Sequence, residues 1–212
     1  MTRLFIGTII SEQDQERIRQ VQEKKTDLED LWNRKVRWVK PEKVHLTWLF
    51  LGTVGSDLVQ PITELFANLV VNELSRTSDR APMKLVFDHA ELWPDAKKPR
   101  QVVLRPSEVE PRIAKLASVL RTGLLEFYFE QSLKEEMRTF KPHLTMLRIE
   151  RRQESVKFTR TPSSRIKLSE VQGLSEALPI VLELDKIALI ESHLGKSDTY
   201  TVLHEVATAP AI

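Results

Sequence analysis

Two tetrapeptides, His45-Leu46-Thr47-Trp48 and His143-Leu144-Thr145-Met146, share their first three residues. With 28 Leu and 15 Thr in 212 residues and five histidines to start from, two such triplets arise by chance roughly once in a thousand sequences of this composition. Each follows a turn holding Lys and Pro, Lys40-Pro41 and Lys141-Pro142, and each reads as strand. Residues i and i+2 of a strand face the same way. His45 and Thr47 therefore share one side, as do His143 and Thr145, while Leu46, Trp48, Leu144 and Met146 face the opposite core. Two such strands facing one groove would gather two imidazoles and two hydroxyls. Imidazole titrates near pH 6.5, so one ring can accept a proton while the other donates one. Threonine hydroxyls can donate hydrogen bonds to non-bridging phosphate oxygens as charge builds there. That is equipment for metal-free phosphodiester cleavage, and a strained cyclic phosphate is the easiest substrate for it.

Charge gathers around the same segments. Residues 34 to 48 carry Arg34, Lys35, Arg37, Lys40 and Lys43 against Glu42, a balance of +4. Residues 138 to 152 carry Arg138, Lys141, Arg148, Arg151 and Arg152 against Glu150, again +4. The whole chain is only +2, so the remainder sums to −6. Cationic clefts focus anions, which points to a phosphate-bearing ligand.

Composition removes competing chemistries. There is no cysteine, hence no disulfide, thiol nucleophile or Cys-ligated metal. Six scattered glycines assemble no P-loop or dinucleotide fingerprint. No HExxH, HxxEH or close His/Asp cluster occurs, so neither metal nor cofactor is expected. Leu4 to Ile10 is too short and interrupted for a signal segment, and no apolar run approaches the about 20 residues of a membrane helix. The expectation is a cytoplasmic protein with no membrane or obligate protein partner.

The surrounding elements follow from periodicity. Arg3–Ile10 reads as a buried strand ended by Ser11, a helix N-cap, and one helix then carries Ile18, Val21, Leu28 and Trp32. Val36–Val39 and Val44–Leu51 read as strands, with Gly52 closing the second. Pro61–Leu74 and Pro111–Leu125 show helical faces, and Met83–Ala90, Gln101–Leu104, Phe127–Phe129 and His143–Ile149 read as strands. Residues 151 to 178 read as a long loop or insertion, rich in Ser, Thr, Arg and Pro162 in its first half. Three strands, Ile180–Leu184, Lys186–Ile190 and Thr199–Val206, close an α+β domain covering 1–212 that plays one theme twice. His89, His193 and His204 are not followed by threonine and are read as structural. Trp32, Trp38 and Trp93 are read as core or rim packing, and Phe5 and Tyr200 as core, in each case ahead of stacking on a base.

The two H-x-T-x motifs resemble those of the 2H phosphoesterase superfamily, in its RNA 2′,3′-cyclic phosphodiesterase branch, historically called 2′-5′ RNA ligases. Arg3-Leu4-Phe5-Ile6 is similar to the family's opening strand. Arg37-Trp38-Val39 through Phe50-Leu51-Gly52 is similar to its first motif region, and Phe140 through Thr145 with Arg148 to its second. Ile190 through Leu194 and Tyr200 through Leu203 are similar to its last strands. The resemblance implies a bilobal fold, two antiparallel sheets with outer helices related by a pseudo-two-fold repeat around a central groove. It implies His45 as proton donor and His143 as acceptor, Thr47 and Thr145 as phosphate-contacting hydroxyls, and Arg148 and Lys141 as substrate-binding bases. The activity implied is opening of a 2′,3′-cyclic phosphate at an RNA end to a 2′-phosphomonoester. A non-catalytic RNA-end-binding module stays open as an alternative, as does action on short oligonucleotides or small cyclic nucleotides, including 2′-5′ ligation. Residues alone leave donor and acceptor symmetric. Arg148 lies three past Thr145, so strict alternation points it away from the site unless a bulge turns it round.

Overall fold

In the computed structural model, which describes residues 1–24, 28–32, 34–77, 81–128, 140–150, 166–171, 173–193 and 199–208, the strands divide into two antiparallel sets. Strands β1 (Thr2–Ile9), β3 (His45–Val54), β8 (Lys186–His193) and β9 (Thr199–Ala207) form one. Strands β4 (Met83–Trp93), β5 (Gln101–Pro106), β6 (Leu144–Ile149) and β7 (Ile180–Leu184) form the other. The order β7-β4-β5-β6-β3-β1-β8-β9 makes them halves of one continuous sheet. Their join is a single bridge, Leu46 opposite Leu144. A short strand β2 (Val36–Trp38) pairs with β6 beyond the bridge, where β3 and β6 have parted. The expected two sheets are thus present, fused at the middle residues of the repeated triplet.

Four helices accompany the strands among the described residues: α1 (Glu12–Glu23), α2 (Leu28–Trp32), α3 (Val59–Ser75) and α4 (Pro111–Tyr128). Ser11 caps α1, its Oγ accepting from the Asp14 amide at 3.2 Å, with Glu12 and Asp14 favourably placed at the positive end. Ile62, Phe66 and Val70 recur every four residues on α3, and Ile113, Leu116, Leu120 and Leu124 line one face of α4; all are buried. They join Leu46, Trp48, Leu144 and Met146 in one core cluster. Burying a Leu or Phe side chain contributes about 1.5–3 kcal/mol, so the apolar residues of both motifs anchor their strands strongly. The histidine and threonine of each triplet are consequently pressed toward the other face.

Three sequence readings need correction. The stripe from Ile18 to Trp32 belongs to two helices, α1 and α2, with residues 25–27 between them outside the described set. Phe127 and Tyr128 extend α4 rather than start a strand, while Phe129 lies outside the described residues. Gly52 does not end β3. Its φ of +76° lets the strand absorb a register shift and run on to Val54. Of the expected 151–178 loop, residues 151–165 lie outside the described set. From Ile166 the chain is irregular but packed, with Ile166, Val171, Leu174 and Ala177 buried and Glu170 accepting from Trp32 Nε1 at 2.6 Å.

Candidate active site

The Leu46–Leu144 bridge decides the geometry. In an antiparallel pair, the residues flanking a bridge sit beside each other crosswise. Thr145 therefore neighbours His45, and Thr47 neighbours His143, all four on the face away from the core. Burial alternates accordingly: His45, Thr47, His143 and Thr145 are half-buried, and Leu46, Trp48, Leu144 and Met146 are buried.

Each imidazole is fixed in the same manner. A 3₁₀ turn at Pro41–Lys43 presents the Lys43 carbonyl, which accepts from His45 Nδ1 at 2.7 Å. Lys141 O accepts from His143 Nδ1 at 2.8 Å. With Nδ1–H donating, the neutral ring keeps its lone pair on Nε2, free to face a ligand. Aromatic rings hold the planes. Phe5 lies 4.8 Å and Tyr200 5.4 Å from His45 between ring centroids, and Trp93 lies 4.4 Å from His143. Phe5 is buried with Ala188 and Ile190, with Tyr200 packed against them, as core packing predicts, and Phe5, Tyr200 and Trp93 also wall the two histidines. Their signal in the sequence was weak because strand register decides which face an aromatic occupies.

Burial holds both histidines below their ordinary pKa. His45 falls from 6.5 to about 4, through burial first; the Lys43 carbonyl opposes the shift, and the charges of His143 and Arg148 add to it. His143 is lowered too, again by burial first, with the Lys141 carbonyl opposing and Arg105 and Arg148 adding. At neutral pH both rings are neutral in the free protein.

The repeat is longer than the shared triplet. His45-Leu46-Thr47-Trp48-Leu49-Phe50 and His143-Leu144-Thr145-Met146-Leu147-Arg148 also share their fifth residue. Register shifts fall at the same place in both. On β1, Ile6 faces Leu49 and Gly7 faces Thr47, leaving Trp48 as the extra residue. On β5, Val102 faces Leu147 and Val103 faces Thr145, leaving Met146. A bulge reverses the facing of everything beyond it. Leu49 and Leu147 are therefore buried after a buried residue, and Phe50 and Arg148 return to the site face. This is the turn that strict alternation denied Arg148.

Arg148, His45 and Thr47 line a groove of about 630 Å³ with Arg3, Arg37, Lys40, Lys43, Phe50 and Tyr200 among its walls. Phe50 is 40% exposed, and the Arg3 guanidinium lies 4.9 Å from its ring centre. An exposed ring in a cationic groove is a stacking surface for a base. Lys141 enters through its carbonyl, and its side chain is exposed. Arg138, Arg151 and Arg152 lie outside the described residues.

On the other wall, Glu91 accepts from Trp93 Nε1 at 2.7 Å and pairs with Arg105 at 3.6 Å, and Arg105 lies 5.4 Å from the Trp93 ring centre. His89 contacts Asp88 and Glu91, and its pKa is raised chiefly by Asp88. So His89 serves the wall behind His143. His193 bonds Thr201, and His204 packs edge-on against Phe66.

The family described as LigT-like phosphoesterase has a model that matches residues 10–103. An RNA 2′,3′-cyclic phosphodiesterase of Aquifex aeolicus (strain VF5) is 27% identical over 208 residues, 97% of this chain and 96% of that protein. Among solved structures, TT0787 of Thermus thermophilus superposes with a TM-score of 0.68 at 22% identity, over 97% of both chains. E. coli LigT in its apo form superposes at 0.66 and 20% identity, over 97% of this chain and 96% of that one. The two structural likenesses establish a shared fold. No helix among the described residues is long and apolar enough to cross a membrane.

Proposed function

We propose that the chain, whose residues 10–103 match the model of the LigT-like phosphoesterases and which is 27% identical to an RNA 2′,3′-cyclic phosphodiesterase, is a phosphoesterase of that family and hydrolyses the 2′,3′-cyclic phosphodiester at an RNA end to a 2′-phosphomonoester without a metal. The observation that carries the reading is the crosswise placement of His45, Thr47, His143 and Thr145 about the Leu46–Leu144 bridge, with Arg148 turned onto the same face.

His143, neutral and with Nε2 unprotonated, takes a proton from water as the water oxygen attacks phosphorus. The bond from phosphorus to the 3′-oxygen breaks, and that oxygen takes its proton from His45 Nε2. The 2′-ester bond survives, so the product is a 2′-phosphate beside a free 3′-hydroxyl. Thr47 and Thr145 donate hydrogen bonds to the non-bridging oxygens, and Arg148 balances their growing charge. The base role suits the free protein as it stands. The acid role needs His45 charged, against a pKa of about 4; the anionic phosphate supplies the opposite charge that raises it. Lys141 assists through its carbonyl and its nearby positive charge. The donor and acceptor assignment follows the family resemblance, and 1–212 acts as one domain around this groove.

Single substitutions test the reading. His45→Ala and His143→Ala should each lower kcat on a 2′,3′-cyclic-phosphate oligoribonucleotide by about 10² or more, with EDTA leaving the wild-type rate unchanged. Full activity in either variant would refute the two-histidine mechanism, whereas a wild type that binds the oligonucleotide and leaves it uncleaved would mark the chain as an RNA-end binder.

A further inference from the structure

The groove wall carries a pairing that a protein without an anionic partner has reason to avoid. Arg37 on β2 stands directly opposite Arg148 on β6. Opposed residues on antiparallel strands share a face, with Cα atoms about 5 Å apart, and like charges so placed are destabilising. Both side chains are exposed, and both line the groove. Neither they, nor Lys40, nor Arg3 forms an ion pair with an acidic residue among the described residues. Among the described residues, the groove lining contains no Asp or Glu to relieve them. The opposite wall differs: there Asp88 and Glu91 answer His89 and Arg105. Among the described residues, uncompensated charge thus gathers along one side, at Arg148, Arg37 and Lys40.

One phosphate does not need such a track. Arg148 lies close to both histidines, while Arg37 sits one step across the ladder on β2, opposite the part of β6 past the bridge. We propose that Arg37, with Lys40 on the same groove wall, binds the phosphodiester preceding the cyclic end, so that the groove takes an RNA strand and not a free cyclic nucleotide. This rests on the cyclic-phosphate reading above and assigns the residues that hold the strand before the reacting end.

The test compares an oligoribonucleotide ending in a 2′,3′-cyclic phosphate with a 2′,3′-cyclic mononucleotide. Wild type should favour the oligonucleotide. Arg37→Gln should lower kcat/KM on the oligonucleotide about tenfold, chiefly through KM, and leave the mononucleotide within about twofold, as one lost charged phosphate contact predicts. The slope of log kcat/KM against log salt should become shallower by about 0.7, the single-strand value per contact. Arg37→Lys should restore most of the loss. Equal loss on both substrates, no loss on either, or a wild type indifferent to the preceding nucleotide would overturn the assignment. Failure of the underlying reading looks different: wild type would leave both substrates intact.

Discussion

At the residue scale, the site turns on two rings with one tautomer, to which the proposed reaction gives different tasks. Each donates from Nδ1 to the carbonyl two residues before it, and each is neutral in the free protein. A general base needs that state, whereas a general acid must first gain a proton. The profile of kcat/KM, which reports the free enzyme, should therefore fall with rising pH through the neutral range, because the charged fraction of His45 shrinks tenfold per unit above about 4. The profile of kcat reports the bound complex, where the phosphate holds the proton on His45. Its alkaline limb should lie at least about one unit higher. Stopped assays between pH 5 and 9 on one cyclic-phosphate oligonucleotide separate the two. A kcat/KM flat from pH 6 to 8 would show that His45 is not the acid.

At the element scale, the bulges do what residue identity alone cannot. His-Leu-Thr was legible as a repeat, and alternation predicted which four side chains share a face. The return of Arg148 and Phe50 was not legible, because it depends on which neighbour absorbs an extra residue. Nothing in Met146 or Trp48 announces a bulge; the partners on β5 and β1 reveal it. The aromatic walls were obscured for the same reason. Trp48 also ties the motifs together. Its Nε1 donates to Thr8 Oγ1 at 3.0 Å, and Thr8 Oγ1 donates to Lys186 O at 3.0 Å. Its ring stacks at 10° on Phe140, which leads into Lys141-Pro142-His143. Trp48→Ala should cost about 3–5 kcal/mol, the range for emptying a large buried aromatic site, seen as a lower urea midpoint. Trp48→Phe should retain the Phe140 stack and recover most of that stability, losing chiefly the Thr8 bond, about 1 kcal/mol. If both variants lose the same amount, the stack on Phe140 is not what holds the second motif's approach.

At the scale of the whole molecule, two four-stranded halves meet through one residue pair, and the ionisable rings sit beside it. The doubled theme was legible in sequence because core-facing residues of both halves keep a regular period. The fusion of the halves was not, since one bridge leaves no periodic trace. Placing two histidines at that join makes the fold sensitive to acid, and the sign follows from the shifts. The unfolded chain binds protons on both rings below about pH 6.5, while folded His45 resists protonation down to about 4. Between those values the unfolded state holds more protons, so stability falls as pH falls. Linkage for a shift of this size, reduced for partial exposure, gives about 2 kcal/mol lost for His45 between pH 7 and 4.5. His143 adds in the same direction. His45→Gln removes the titrating group, so its urea midpoint should decline less between pH 7 and 4.5 than the wild type's. A saturating phosphate ligand should shrink the wild-type decline, because it favours the charged rings in the native state. Parallel declines in wild type and His45→Gln would show that the ring is already charged in the folded chain, and the acid–base division of the site would have to be redrawn.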